Sequence, residues 1–252
     1  MHVLGIATGE TDPDRLLTPI RDRLATRGSL AVIRRSDDDS VSIVADGWQA
    51  QGESIELRDA LDRVARDHDY CLVGGVPDGR FPQVTDGTSP VDEPALVVEP
   101  GSIDLDAVID VIESADHYET LGSLVARVKE SNREPYAGAI ATFTGRVRAK
   151  ESEDDTPTTS LTFEKYEGVA EERMRDIEAD LEAREGIEKV IMHHRVGRIN
   201  AGEDIVFVVV LAGHRREAFA AVEDGIDTLK DDVPIFKKEV TTEEAFWKHD
   251  AA

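Results

Sequence analysis

The feature of this sequence that most constrains its fold is an unbroken apolar run over residues 205–211, IVFVVVL. The run is short and rich in β-branched residues, which predicts a buried strand rather than a helix. Gly213 ends the run, and the following pattern predicts an amphipathic helix that ends near Lys230, then a second strand over residues 235–240. The apolar stripe expected on the helix comprises Ala218, Phe219, Val222, Ile226 and Leu229.

Basic residues mark the ends of this strand–helix–strand unit, although the chain as a whole is acidic. The chain has 29 Lys and Arg residues against 53 Asp and Glu residues, a formal net charge of −24. Such a surface repels nucleic acid and anionic membranes, so neither is an expected partner. The composition is expected of a halophilic protein and also occurs in ordinary acidic enzymes. The basic residues in question are His214, Arg215, Arg216, Lys230, Lys237 and Lys238.

The cysteine content and the apolar runs indicate the compartment. Cys71 is the only cysteine, which excludes an internal disulfide and argues against a cysteine-rich metal site. It lies in an apolar segment, so we expect it to be buried rather than reactive. No signal peptide and no apolar run of transmembrane length is apparent in the sequence. A soluble, cytoplasmic protein is therefore expected.

Residues 1–115 are predicted to form an α/β domain with a partly parallel sheet, because strands alternate with helices along the chain. Pro19 falls inside the first helix and should kink it or mark its true start. Asp37 to Asp39 are expected to form a turn, and residues 77–94, rich in Pro, Gly and Asp, a loop. The expected strands are residues 2–8, 30–34, 41–45, 69–76 and 96–99. The first expected helix ends near Arg27, and two more cover residues 55–67 and 103–114.

Residues 116–252 are predicted to form an α+β domain, since short strands mix with long helices. Residues 149–160 lack apolar periodicity and are expected to be an exposed, mobile loop. Residues 200–203 are expected to form a hairpin-like turn before the apolar run. The other expected elements are helices over residues 121–131 and 169–185 and strands over residues 136–148, 161–166 and 187–194.

The turn after the first strand occupies the position where a nucleotide-binding α/β protein carries its phosphate loop. Gly5 and Gly9 have a suggestive spacing, but a phosphate loop also needs a Lys for the phosphates and a Ser or Thr for magnesium. Here the following residues include Asp12 and Asp14 and no Lys. We therefore predict a strand–turn–helix without a nucleotide ligand.

Residues 2–112 nevertheless resemble the adaptor proteins of molybdopterin guanine dinucleotide synthesis. The resemblance is carried by the first strand and its turn, by residues 31–34 (AVIR), and by residues 72–75 (LVGG) with Arg80, Phe81 and Pro82. The missing phosphate-loop Lys departs from that family. The first domain is accordingly expected to be a degenerate, P-loop-like form of it.

Three histidines and several cations are candidate site residues. Only one of His193 and His194 could join His214 at a metal, because neighbours on a strand face opposite sides, and no metal site is predicted. The same alternation puts Arg146 and Arg148 on one face with Val147 opposite, and Lys237 and Glu239 on one face with Lys238 opposite. Arg215, at a helix N-terminus, suits a phosphate. The alternative is that these cations only neutralise nearby carboxylates.

Five segments resemble, in order, the catalytic (large) subunit of molybdopterin synthase over residues 120–250. They are residues 138–148 (GAIATFTGRVR), 161–168 (LTFEKYEG), 195–197 (RVG), 213–219 (GHRREAF) and 229–239 (LKDDVPIFKKE). The resemblance implies an α/β hammerhead that dimerises and binds a small ubiquitin-like sulfur carrier, giving a heterotetramer. Ile226 stands where the family often has Met, a tolerable apolar exchange.

The resemblance also implies a reaction: two sulfurs pass from the carrier's C-terminal Gly-Gly thiocarboxylate to cyclic pyranopterin monophosphate, giving the dithiolene of molybdopterin. It implies no cofactor. The implied catalytic residues are Lys230 and Lys237; the implied substrate-binding residues are these two with Arg146, Val147, Arg148, His214, Arg215, Lys238 and Glu239.

Two interpretations follow from the pattern of lysines. The first is a fusion of a degenerate adaptor-like domain (residues 1–115) with a catalytic domain (residues 116–252). The alternative is a non-catalytic adaptor that binds molybdopterin or a nucleotide. Lysines are present at the second domain's site and absent from the first domain's turn, which favours the enzyme. Arg215 and Lys230 should lie about 22 Å apart along one helix, too far to touch one substrate molecule. Since the resemblance implies that both act at the substrate, it predicts a site shared between the two chains of a homodimer.

Overall fold

The computed structural model describes residues 1–9, 12–36, 40–45, 47–52, 55–77, 81–89, 91–99, 101–166, 168–242 and, for the backbone alone, 245–248. The chain divides into two compact units, Met1–Ser123 and Leu124–Ala252. The boundary expected between residues 115 and 116 lies before this division, which falls inside a helix, Leu121–Lys129. Within the described ranges, no helix is both long and apolar enough to cross a membrane.

The first unit is built on one seven-stranded sheet. Its strands are β1 (His2–Ala7), β2 (Leu30–Arg35), β3 (Val41–Ala45), β4 (Trp48–Gly52), β5 (Tyr70–Gly74), β6 (Gln83–Thr85) and β7 (Leu96–Val97). Its helices are α1 (Asp14–Leu24), α2 (Leu57–Val64) and α3 (Leu105–Ser114). The strand order is β4–β3–β2–β5–β1–β6–β7. Neighbouring strands from β2 to β7 in this order are parallel, whereas β3 is antiparallel to β2 and β4 is antiparallel to β3. The predicted partly parallel sheet is confirmed.

The sheet of the first unit separates two apolar cores. Alternation along β1 sends Leu4 and Ile6 toward α1 and α3, and Val3 toward α2. Cys71 belongs to the second of these cores and is fully buried, as predicted. Burial raises the pKa of its thiol, so the thiolate needed for reactivity is disfavoured.

Several details of the first unit differ from the sequence prediction. The pattern does not reveal β4, a half-exposed edge strand with two Gln residues, or β6, a buried three-residue strand inside the predicted loop. Helix α1 begins at Asp14 and continues through Pro19, so Pro19 does not mark its start. The turn expected at Asp37 to Asp39 lies outside the described residues, as does Arg80.

The second unit contains two antiparallel sheets. Its strands are β8 (Ala139–Arg146), β9 (Thr158–Lys165), β10 (Ile187–His194), β11 (Gly197–Asn200), β12 (Asp204–Ala212), β13 (Ile235–Thr241) and β14 (Ala245–Lys248). Its helices are α4 (Leu121–Lys129), α5 (Val169–Glu182) and α6 (Arg215–Asp232). One sheet has the order β10–β12–β8 and the other the order β11–β9–β13–β14. This is the predicted α+β organisation.

Helices α5 and α6 pack on the three-stranded sheet. Its central strand, β12, is the apolar run of the sequence, and Val208 and Val210 face the two helices. The buried residues of α6 are Ala218, Ala221, Gly225, Ile226 and Leu229. The prediction that Phe219 belongs to this stripe is wrong, because its side chain is 66% exposed. Each helical residue turns by about 100°, and the small residues Ala218 and Ala221 face the sheet instead.

Two predicted connections in the second unit are correct only in part. Residues 200–203 form the predicted turn, with the Glu203 N–H donating to the Asn200 carbonyl at 3.0 Å, but β11 pairs with β9, so the turn leads from one sheet to the other instead of joining a hairpin. The predicted loop over residues 149–160 ends earlier, because Thr158 to Ser160 belong to β9. Thr158 and Ser160 are buried and polar, so an apolar pattern could not reveal them.

Candidate active site

A cleft of about 1290 Å³ lies within the second unit. Both sheets and the C-terminal half of α6 contribute to its walls. Its apolar lining comprises Phe143, Leu161, Phe163, Ile205, Val206, Ile226, Leu229, Val233 and Ile235. Its charged lining comprises the cations Arg146, Arg148, Lys150, Lys230 and Lys237 and the carboxylates Glu151, Asp155, Asp231 and Glu239. The cleft therefore combines an apolar surface with five basic side chains, in a chain of strongly negative charge.

The register of β9 and β13 places Lys237 in the cleft. Lys237 lies opposite Phe163, and Glu239 lies opposite Leu161, so these four side chains share one face. Lys238 lies opposite Thr162 and does not line the cleft. The predicted separation of Lys237 and Glu239 from Lys238 is thus seen in the structure. Glu239 is buried and accepts a hydrogen bond from the Thr158 hydroxyl.

Lys230 reaches the cleft from the last turn of α6. It follows Leu229, which is buried against the sheet and also lines the cleft. A cation in the last turn of a helix is stabilised by the negative end of the helix dipole. Sheet pairing and helix packing thus bring Lys230 and Lys237, from different elements, to one cavity.

Arg146, the last residue of β8, and Arg148, two residues after it, line the cleft and differ in how they are held. Arg146 donates from Nε to Asp204 at 3.1 Å and also donates to the carbonyl of Gly202. Arg148 contacts Glu151 at 3.5 Å, with both side chains mostly exposed. Exposed pairs of this kind contribute little, about 0–1 kcal/mol. Arg146 is thus tied to the fold, whereas the Arg148 guanidinium is accessible to a ligand.

Val147 turns away from the cleft, as alternation predicts. It is buried with Phe163 and Ile199 in a small apolar cluster. His214 and Arg215 do not line the cleft either; both are exposed at the N-terminus of α6. One chain therefore brings together five of the nine predicted site residues, namely Arg146, Arg148, Lys230, Lys237 and Glu239, and leaves His214, Arg215, Val147 and Lys238 elsewhere.

His194 lines the cleft and was not among the predicted site residues. Its ring lies edge-on to Phe163 with 4.9 Å between centroids, and its Nδ1 is 2.7 Å from the carbonyl oxygen of Arg195. Burial lowers the pKa of His194 to about 4, with a further contribution from Lys165. The signal available in the sequence is its position at the end of a strand, directly before the RVG segment. The described residues contain no group of three or more potential metal ligands.

The acidic loop before β9 borders the cleft. Asp155 accepts hydrogen bonds from the backbone N–H groups of Glu151 and Ser152 and from the Ser152 hydroxyl, at 2.7–2.9 Å. These hydrogen bonds lower the pKa of the Asp155 carboxyl group. The expected exposure of this loop is seen at residues 148–154, and Asp155 organises it. Lys150, which lines the cleft, is a basic residue that the sequence motifs did not single out.

The turn after β1 in the first unit is filled by the chain itself. A Cβ atom on Gly5 would overlap the side-chain amide of Gln83, and one on Gly9 would overlap Thr88. The Gly9 N–H donates to the Thr88 hydroxyl at 3.1 Å. Asp14 pairs with Arg34. These glycines therefore allow close packing of protein against protein, and Glu10 and Thr11 of this turn lie outside the described residues.

Comparison with known proteins addresses the identity of the whole chain. The family model described as MoaE protein matches residues 118–232. A protein of Haloferax volcanii named probable molybdopterin synthase is 51% identical over 262 residues, covering 99% of this chain and 100% of the relative. Both units therefore have counterparts in that relative. The halophilic character expected from the acidic composition is supported by the source of this relative.

Shorter relatives match the second unit. The molybdopterin synthase catalytic subunit of Yersinia pestis is 40% identical over 110 residues, 44% of this chain and 72% of the relative. The solved structure of a molybdopterin biosynthesis MoaE protein from Burkholderia ambifaria has 35% identity and a TM-score of 0.43, covering 51% of this chain and 82% of that one. The full-length match favours an enzyme over the non-catalytic adaptor considered as the alternative. The chain belongs to the molybdopterin synthase family, as a catalytic subunit and sulfurtransferase of molybdenum cofactor biosynthesis.

Proposed function

We propose that the cleft of the second unit transfers sulfur from the C-terminal thiocarboxylate of a small ubiquitin-like carrier protein to cyclic pyranopterin monophosphate. The observation that carries this proposal is the convergence of Arg148, Lys230 and Lys237 on one cavity of an acidic protein. Both reactants are anions, and a cationic cavity attracts them although the rest of the surface repels them. The apolar lining provides a surface for the ring system of the pterin.

The roles of the basic residues follow from their positions. Arg148 is accessible and presents a planar guanidinium, which suits a phosphate. Lys230 and Lys237 line the cavity from different elements and are assigned to proton transfer during the reaction. The carrier supplies the sulfur nucleophile, so the reaction needs no protein thiol. This agrees with Cys71 being buried in the first unit.

The remaining predicted residues require a second copy of the chain. Arg215 begins α6 and Lys230 lies fifteen residues later, a separation of about 22 Å along the helix. A pyranopterin phosphate is much shorter than this distance. We assign His214 and Arg215 of one subunit to the cleft of its partner, so that a two-fold dimer holds two complete sites. With one carrier at each site, the assembly is a heterotetramer.

The first unit is assigned no nucleotide-binding role. Its resemblance to the adaptor proteins of molybdopterin guanine dinucleotide synthesis stays a prediction. Gln83 approaches Gly5 within β1, and Thr88 closely approaches Gly9 in the turn that follows. Asp12 and Asp14 add negative charge at the same turn.

The direct test is reconstitution of the reaction. The purified chain is mixed with a thiocarboxylated carrier and cyclic pyranopterin monophosphate, in concentrated salt because the protein is acidic. Dithiolene product should form, and the same carrier with an ordinary C-terminal carboxylate should give none. Tight binding of the pterin without any dithiolene, under conditions where a known synthase is active, would instead support the adaptor function.

A further inference from the structure

His194 is a buried polar side chain in the apolar part of the cleft. It ends β10, and its side chain is about nine-tenths buried, with 9% exposure for the residue. The sequence analysis gives His194 no role, since no metal site is predicted there. In the structure, its Nδ1 is hydrogen-bonded and its imidazole lines the cavity proposed to hold the substrate.

The hydrogen bond at Nδ1 fixes the state of the other ring nitrogen. Nδ1 lies 2.7 Å from the carbonyl oxygen of Arg195, and a carbonyl oxygen can only accept. In the neutral ring, Nδ1 therefore carries the hydrogen and Nε2 carries a lone pair. Within the part of the chain that the structure describes, Nδ1 makes the one hydrogen bond seen at this ring. Nε2 is thus an acceptor available to a ligand.

The surroundings of His194 connect it to the proposed catalytic lysine. The ring packs edge-on against Phe163, and Phe163 lies opposite Lys237 in the β9–β13 register. All three side chains line the same cleft. Phe163 therefore neighbours both His194 and Lys237 at the wall of one cleft.

We propose that Nε2 of His194 binds the pterin ring by accepting a hydrogen bond from one of its N–H or amino groups. The proposal rests on the function proposed above and extends it, because the basic residues of the cleft recognise only the anionic parts of the reactants. Lys and Arg have no acceptor to offer a ring N–H group. The buried carboxylate of Glu239 already accepts a hydrogen bond from Thr158. His194 supplies a neutral acceptor at the apolar surface where the ring is expected to lie.

Two substitutions separate this role from a structural one. The side-chain amide of His194→Asn can replace Nδ1 and keep the bond to the Arg195 carbonyl, but it cannot reach the position of Nε2. His194→Gln does the reverse, because its longer side chain places an amide near Nε2. With saturating thiocarboxylated carrier, His194→Asn should raise the KM for cyclic pyranopterin monophosphate roughly ten- to hundredfold, the usual effect of an unmatched buried polar group. His194→Gln should stay within about threefold of the wild type.

The opposite pattern would overturn the proposal. If His194→Gln is impaired and His194→Asn is normal, the ring acts only by holding Arg195. A second measurement covers the case in which both variants fold poorly. In the wild-type protein, the ¹⁵N resonance of His194 Nε2 should shift when cyclic pyranopterin monophosphate is added without carrier, while the Nδ1 resonance changes little. Saturable pterin binding without a shift at Nε2 would exclude the contact, whereas absence of dithiolene in the complete assay would instead count against the proposed reaction.

Discussion

The two units differ at the ends of their strands: the space there is filled by side chains in the first unit and forms an open cavity in the second. In the first unit, Gly5 of β1 and Gly9 of the following turn have a spacing suggestive of ligand binding, and Gln83 and Thr88 fill the space beside them. In the second unit, residues at the ends of β8, β10 and α6 and on β13 line a cavity of about 1290 Å³. The glycine signal of the first unit therefore accompanies a filled space, whereas the open cavity of the second unit is lined by residues of several strands and of one helix C-terminus.

The difference shows that charge placement is more informative than glycine spacing in this chain. A glycine accommodates either a ligand or a neighbouring side chain, and the sequence around it does not distinguish the two. Basic residues in an acidic chain are harder to explain by packing alone. In the first unit, Arg34 of β2 is paired with Asp14, which follows the turn. In the second unit, Arg148 pairs with Glu151 but both side chains are mostly exposed, and Lys230 is exposed in the same cavity.

The largest expected effect comes from removing a cleft lysine. Lys237→Ala should lower the rate of sulfur transfer by roughly 10²–10⁴-fold, the range typical of a general acid or base. Lys230→Ala should have a similar effect, because it lines the same cavity from α6. The measurement is dithiolene formation under single-turnover conditions, with thermal unfolding as a check of folding.

Lys238→Ala is the matched control for Lys237→Ala. It removes the same charge one residue away, but Lys238 does not line the cleft. Its loss of rate should be no more than about tenfold, since charges outside the site act through a screened field. Equal losses in the two variants would show that the cavity is not where the reaction occurs.

The next effect concerns stability and tests whether the cleft buries a neutral imidazole. Burial lowers the pKa of His194 from 6.5 to about 4, and the nearby Lys165 acts in the same direction. Between about pH 6.5 and pH 4, His194 is protonated in the unfolded chain and neutral in the folded chain, so the wild type loses stability as the pH falls through this range. From pH 7.5 to pH 5 this loss should be about 2 kcal/mol.

Comparison with His194→Gln isolates this contribution. Other titrating groups are common to both proteins, and both are measured at one protein concentration. The free energy of unfolding of the variant, relative to the wild type, should therefore rise by about 2 kcal/mol between pH 7.5 and pH 5. A difference that does not change with pH would mean that His194 titrates normally and is solvated in the cleft.

Much of the fold could be predicted from the sequence, because most elements have an apolar period. The run at β12 and the alternation along β13 were sufficient to place Lys237 and Lys238 on opposite faces. Strands whose buried residues are polar were not revealed by the apolar pattern. Ser160 and Thr158 in β9 are buried, as are Gln83 and Thr85 in β6, and neither pattern differs from that of a loop.

Of the residues that line the cleft, Arg146, Arg148, Lys230 and Lys237 are named by the sequence motifs, whereas Lys150 and His194 are not. Cations in an acidic chain stand out in the sequence, and the family motifs include these four. His194 gives no such signal, since its role depends on burial and on which ring nitrogen is bound. Phe219 shows the converse error: an apolar residue near the expected stripe is 66% exposed, because smaller residues face the sheet.

A smaller effect, recovery of about a quarter of the activity, tests whether the open cleft is completed by a second chain. Arg215→Ala and Lys237→Ala proteins should each be inactive. After full subunit exchange, half of the dimers are mixed, and each mixed dimer has one intact site of two. Activity should therefore return to about a quarter of the wild-type value. Mixing Lys230→Ala with Lys237→Ala is the control, because these two residues belong to the same side of the site and no intact site can form. Verified exchange without recovery in the first mixture would exclude a shared site.

The last prediction is that GTP does not bind at the turn of the first unit. Calorimetric titration with GTP and magnesium should give no saturable heat, because Gln83 and Thr88 occupy the space beside Gly5 and Gly9. The Asp12 and Asp14 carboxylates would face the phosphates, and Arg34 is already paired with Asp14. Displacing these contacts would cost the hydrogen bond from Gly9 to Thr88 as well as the ion pair. A known GTP-binding protein in the same concentrated salt shows that the conditions permit binding. Magnesium-dependent binding with a micromolar Kd would show that the turn opens, and the contrast between a filled and an open strand end would then no longer separate the two units.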